Sequence, residues 1–294
     1  MRGLLIGVGV GLAIVGLAVV GWLHWLDARV TKTLQRQYAV ALAPIQLPTD
    51  SASLAEGARL AHILGCHGCH GEQLQGRLFV DEPSVMRVVA PNVTALVPRY
   101  SDAELARLIR HGVRRDGTGV LAMPVASFFQ LRDVDVARVI AYLRTVPGVD
   151  GTLAGNELRL PGKLAVLKGA LLPAAATLDH AARRHADDAA AADTTELSRG
   201  AYLARVACTE CHGPEWRGAL EAPPLAAANG YSATEFASLL LDGRSRDGRD
   251  LPTMTKTARE RFVWLSKGEV AAIYTFLQSL AAGGGAAATS AGVR

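Results

Sequence analysis

The 294-residue chain contains four cysteines, Cys66, Cys69, Cys208 and Cys211, and each pair is followed at once by a histidine, His70 or His212. Two residues separate the partners in both pairs, a spacing that suits gripping a metal or cofactor. A disulfide framework would scatter its cysteines to staple distant loops. Cys-x-x-Cys-His is the attachment pattern of c-type haem. Its spacing lets both thiols meet the two porphyrin vinyl groups as thioethers while the next histidine reaches the iron. Both copies together use every cysteine, so the expected cofactors are two covalently bound haem c groups. Other chemistries fit less well. A structural zinc site would draw both pairs into one tetrahedron and needs no histidine after each. A thioredoxin-like pair needs a strand and helix context that is absent. An iron–sulfur cluster on all four thiols would fuse two segments that each look self-contained.

These sites must be positioned by a duplicated unit. Gly57-Ala-Arg-Leu-Ala leads into the first motif and Gly200-Ala-Tyr-Leu-Ala into the second. Tyr100-Ser-Asp-Ala-Glu-Leu runs to Gly112, as Tyr231-Ser-Ala-Thr-Glu-Phe runs to Gly243, and Met123 and Met254 each follow the serine by 22 residues. Phe129 to Leu143 parallels Val263 to Leu277. Each copy reads as helix, cysteine site, irregular loop, helix, methionine loop, helix. Ser101 with Glu104 and Ser232 with Glu235 form capping-box patterns, and Gly112 and Gly243 suit helix stops. Apolar residues at helical spacing, such as Val136, Ile140 and Leu143, mark the core face. The expected fold is all-α: an N-terminal transmembrane helix (1–26), a juxtamembrane segment (27–51), one domain over 52–150, an alanine-rich linker (151–195), a second domain over 196–281 and a disordered tail (282–294).

The formal net charge of +4 lies outside the two domains: lysines and arginines balance acids over 50–281, and the surplus sits in the first 49 residues and at Arg294. A nucleic-acid partner, which would need basic charge on the folded part, is excluded on that ground. From Gly3 to Leu23 no charge occurs, about the 20 residues that cross a ~30 Å hydrocarbon core. Trp22 and Trp25 end the run and Arg29, Lys32 and Arg36 follow, as at a lipid–water boundary. A cleaved signal peptide would have a shorter apolar core and a small-residue cleavage site at its end; here the run closes on GWLHWLDARV, which reads as an uncleaved anchor. The positive-inside rule taken alone would put those basic residues in the cytoplasm, and the cofactor argument overrides it.

Both repeats resemble class I cytochrome c domains, with a glycine-bearing helix before CxxCHG and a methionine downstream. Ala90-Pro-Asn-Val-Thr, Tyr100-Ser-Asp-Ala-Glu-Leu, Asp116-Gly to Ala122-Met123-Pro124 and Leu131 to Tyr142-Leu143 are similar to the membrane-bound cytochrome c subunits of bacterial alcohol, aldehyde and gluconate dehydrogenases; this chain has two haem motifs where that family has three. The resemblance implies haem attachment outside the cytoplasm, hence a single-pass protein of the bacterial inner membrane with both domains in the periplasm. It also implies a sixth iron ligand from methionine. Met123 and Met254 hold equivalent places, each expected in a loop before the last helix, whereas Met86 has no counterpart and reads as core packing. His111 is the alternative to Met123. Arg114, Arg115, Arg244 and Arg246 either meet haem propionates or remain solvated. Histidine and methionine together fill both axial positions, so the expected function is one-electron transfer by a non-enzymatic carrier. Its partners would be a dehydrogenase donor and an oxidase or another cytochrome as acceptor; a dihaem peroxidase, with one iron left open, is the rival.

Overall fold

The computed structural model describes residues 2–151, 153–182, 195–219 and 222–282. Helix α1 (Arg2–Leu34) has 33 residues, which at 1.5 Å each is about 50 Å, well beyond a ~30 Å hydrocarbon core. Its side chains from Ile6 to Val20 are exposed along one unbroken apolar stretch that is long enough to cross a membrane.

The first domain opens with α2 (Ser51–Ile63), capped by Asp50, which accepts from the Ser53 N–H at 2.9 Å. The motif itself is the short helix α3 (Cys66–His70). Strands β1 (Arg77–Glu82) and β2 (Met86–Ala90) follow as an antiparallel hairpin, then α4 (Val93–Leu96), α5 (Asp102–His111), α6 (Val125–Phe128) and α7 (Asp133–Thr145). Strand β3 (Glu157–Leu158) pairs antiparallel with β2, Met86 opposite Leu158. The β1–β2 hairpin occupies what the sequence suggested was an irregular loop, and β3 comes from the stretch expected to be a linker; the fold is otherwise helical as expected. On α5 the capping box forms in full, Glu104 N–H to Ser101 Oγ at 3.2 Å and Ser101 N–H to Glu104 at 2.8 Å, and Gly112 ends the helix at φ 63°.

The 151–195 stretch is more than a connection over its described part. Helix α8 (Leu160–Leu167) packs on the end of α1, where Leu26 and Val30 bury Val166 and Lys163 pairs with Asp27 at 2.6 Å. The chain then crosses the methionine loop of the first domain, Ala174 N–H bonding Val120 O at 2.8 Å while Ala174 and Leu178 bury against Val125 and Phe129. The apolar members of an alanine-rich segment thus gain a partner surface that composition alone could not reveal. Residues 183–194 and the tail from 283 lie outside the described residues.

The second domain repeats the plan with α9 (Glu196–Ala207), α10 (Thr209–His212), α11 (Ala233–Leu241), α12 (Pro252–Glu260) and α13 (Lys267–Ala282). Ser232 and Glu235 form its capping box. In each domain the first and last helices cross on a glycine. A Cβ on Gly57 would lie 2.1 Å from the carbonyl oxygen of Arg138, and one on Gly200 1.9 Å from that of Ala272, so no larger residue permits these crossings.

The two cores are one continuous cluster, running from Leu60, Leu131 and Ile140 to Tyr202, Leu265 and Ile273. Two polar contacts at repeat-equivalent positions pin the interface. Arg59 on α2 reaches Glu269 on α13 through bonds of 2.8 and 2.9 Å, and Tyr202 on α9 donates to Asp135 on α7 at 2.7 Å. Burial by itself would raise the Glu269 carboxyl, yet donors from Arg59 and from the Ser266 N–H hold it at about 2. A buried charge so paired is costly to break, and the pseudo-two-fold arrangement fixes how the two motifs face one another.

Candidate cofactor sites

Each motif sits on a turn built by glycines. Gly65 (φ 79°) precedes α3 and Gly71 (φ 89°) follows it, a left-handed geometry that costs a residue with a Cβ dearly. Gly76 N–H closes back on His70 O at 2.7 Å, and Gly218 N–H on His212 O at 3.0 Å. The histidines are then oriented alike. His70 Nδ1 lies 2.8 Å from Pro91 O and His212 Nδ1 lies 2.7 Å from Pro223 O. A carbonyl accepts only, so Nδ1 carries the proton and Nε2 keeps the lone pair that a metal needs. Burial pulls the His70 imidazole down, which favours that neutral form.

In the first domain these atoms face a cavity of about 390 Å³ whose lining includes Cys66, Cys69, His70, Leu74, Leu105 and Met123. Histidine and methionine thus share one apolar chamber with both thiols on its wall. Burial pushes the Cys66 and Cys208 thiols up to about 12 and also raises Cys69 and Cys211. None of the four is paired with another cysteine. The donor set fits a covalently held haem in both domains. In the second, the buried indole N–H of Trp216, at the position equivalent to Leu74, has no protein acceptor among the described residues and is available to a polar group of the cofactor.

The Cytochrome c family profile matches residues 54–147 and 197–281, together more than half of the chain. The chain belongs to the cytochrome c family. Haem c, bound covalently, is the cofactor of such domains. Among curated proteins, this cytochrome c is 25% identical over 277 residues to the fructose dehydrogenase cytochrome subunit of Gluconobacter japonicus, covering 81% of this chain and 55% of that one. It is 33% identical over 101 residues to the cytochrome c subunit of a quinone alcohol dehydrogenase of Gluconacetobacter polyoxogenes, 32% of this chain and 22% of the relative. It is 26% identical over 182 residues to the gluconate 2-dehydrogenase cytochrome c subunit of Pantoea cypripedii, 56% of this chain and 39% of that protein. The chain thus spans about half the length, or less, of these curated relatives. Their names describe cytochrome subunits of dehydrogenases, in line with an electron carrier that is not itself the catalyst.

The remaining residues singled out from the sequence fall as follows. Met254 lies in the first turn of α12, not in a loop, because Pro252 starts that helix two residues earlier; it is half-buried against the core. Met86 begins β2, outside the cavity lining. His111 is turned away from the cavity, its Nδ1 3.0 Å from that of His180 and its ring against Phe129. Within the first motif itself His67, a residue given no role by the sequence, also faces away, stacked on His62, which in turn stacks on Trp264 across the interface. Arg114 lines the cavity and bonds Thr118 at 3.1 Å, whereas Arg115 and Arg246 bond the backbone oxygens of Arg99 and Gly230.

Sequence reasoning missed the two proline carbonyls and the residues Leu74 and Trp216. Both of the latter hold positive φ, 59° and 57°, without being glycine. Their equal offset from the first cysteine of each motif, with Gly76 and Gly218 two residues on, was the available clue. Pro91 was hidden because the hairpin lengthens the first copy: the histidine and its carbonyl partner are 21 residues apart there and 11 in the second.

Proposed function

We propose that this cytochrome c carries two haem c groups and passes single electrons along the outer face of the bacterial inner membrane, from a dehydrogenase towards the respiratory chain. The observation that carries this reading is the repeated constellation of two half-buried thiols and a histidine whose Nδ1 is committed to a proline carbonyl. It stands against Met123 in the first domain and is matched by Met254 in the second. Cys66, Cys69, His70 and Met123 would hold one haem, and Cys208, Cys211, His212 and Met254 the other. Haem c, when bound, supplies a reversible one-electron couple. The protein's residues supply the rest: the proline carbonyl holds the histidine in one tautomer and rotamer, Met123 on the same cavity wall would give the iron a second protein ligand, and the apolar lining would keep water from it. Two protein ligands on each iron would leave the peroxidase alternative without an open site to use.

The exposed apolar helix from Ile6 supports anchoring. Tethering holds the domains near membrane partners at a raised effective concentration. The relatives' roles in dehydrogenases favour a donor of that class, and an oxidase or second cytochrome would accept. Two experiments test the proposal. Added protease should digest residues 50–294 in intact spheroplasts; protection of that region would overturn the topology. The purified protein should give low-spin spectra and no peroxide turnover; high-spin iron with peroxide consumption would replace the carrier by the enzyme.

A further inference from the structure

The domain interface places the two attachment motifs beside each other, and one residue touches both. Arg261, just past α12 in the second domain, donates from Nε to Ile63 O at 2.9 Å and from Nη1 to Glu210 Oε2 at 2.7 Å. Ile63 lies three residues before Cys66, and Glu210 stands between Cys208 and Cys211. The guanidinium carbon passes 3.1 Å from where a Cβ on Gly65 would be, so the absence of a side chain at that position opens the way. As a result Arg261 and Glu210, both from the second domain, complete the lining of the first-domain cavity.

The repeat shows what is particular here. Position 127 corresponds to 261, and Ser127 also reaches into the other domain's motif, sharing a 2.7 Å hydrogen bond with Thr209 beside Cys208. One crossing is neutral and the other is charged. Arg261 is 13% exposed at the side chain and Glu210 30%. An ion pair so covered adds little net stability over an apolar contact, so packing alone does not explain why a charge was placed there. Its position is informative: the one guanidinium bonds the carbonyl three residues before Cys66 and the carboxylate that stands between Cys208 and Cys211. A single cation therefore lies within electrostatic reach of both sites.

We propose that Arg261, with Glu210 as its counter-charge, is a positioning residue that ties the two attachment motifs together and sets the electron affinity of the groups both would hold. The inference rests on the two-haem reading above. A positive charge favours the added electron and a negative one opposes it, so the two members of the pair should act with opposite sign on both centres.

The test is redox titration of the full-length protein in detergent, after its mass has been checked for two porphyrins. R261Q should weaken the electron affinity of both centres by about tenfold, which is about 59 mV for one electron. E210Q should strengthen both, the double variant should return near the parent, and Arg261→Lys should hold near it. E210Q keeps the test alive if R261Q fails to assemble. Two porphyrins with shifts of the same sign in R261Q and E210Q, with only one centre moving, or with neither moving, would overturn the inference while leaving the two-haem reading intact. Fewer than two porphyrins would overturn the reading and the inference with it.

Discussion

Replacing Gly200 by alanine sets two known effects against each other. Gly200 sits inside α9, where helix propensity alone would make alanine better by about 0.5–1 kcal/mol. The added methyl would lie 1.9 Å from the Ala272 carbonyl oxygen and 2.9 Å from Phe276 Cβ. A backbone oxygen cannot swing aside, so α9 and α13 must part by more than 1 Å to restore contact. That loosens a seam holding Leu203, Ile273 and Leu277. Overpacking of this kind costs about 1–3 kcal/mol and occasionally more. The clash outweighs the propensity gain, and the expected net loss is about 2 kcal/mol. At about 2–4 °C per kcal/mol for a continuous two-domain core of this size, the protein should melt roughly 4–8 °C lower. Gly57→Ala, with its methyl 2.1 Å from Arg138 O, should lower the melting temperature in the same way. Gly268, also in a helix but with nothing within 4 Å of a Cβ, is the control, and alanine there should stabilise slightly. Differential scanning calorimetry of the three variants decides the matter. If Gly200→Ala melts at or above the parent temperature, the crossing geometry described here is wrong.

Further outcomes follow from the same structure. Tyr202→Phe leaves the buried Asp135 carboxylate short of a donor and should cost about 1–3 kcal/mol, measured by urea denaturation, while Ser232→Ala removes a helix cap and should cost about 1 kcal/mol. The Glu269 carboxyl is held at about 2 against an ordinary 4.5. The stability of its pairing with Arg59 is thus complete above about pH 4.5 and is lost as the pH falls towards 2. Melting curves across that window should be steeper for the parent than for Glu269→Gln, and equal slopes would count against the assignment. Met123→Ala should turn the first haem high-spin and able to bind exogenous ligands, seen in its absorption spectrum, without changing the number of haems attached.

Features written within one or two helical turns were legible in the sequence. The capping boxes at Ser101 and Ser232, the glycine stops and the motif turns depend on neighbours a few residues away, and they stand where the spacing put them. The duplicated plan was readable for the same reason, since each copy repeats those local signs. What escaped depends on distant partners. Arg59 and Glu269 are 210 residues apart and carry no mark of their pairing. The β1–β2 hairpin lacks clean alternation, its first strand being almost wholly exposed, and it forms where the first copy is longer than the second. The 151–195 stretch looked like spacer because its small apolar residues form no stripe of their own; they bury only where α1 and the methionine loop offer a surface. Met254 shows how one local residue decides: Pro252 starts a helix that carries it, whereas Pro124 follows Met123 and leaves that methionine outside α6.

The most direct measurement is the intact mass of the full-length protein, expressed with a complete haem-ligation machinery and compared with variants lacking either cysteine pair. The parent should weigh two porphyrins more than its polypeptide, and Cys66→Ala/Cys69→Ala and Cys208→Ala/Cys211→Ala should each lose one. A colourless parent at the bare polypeptide mass would contradict the account at its root.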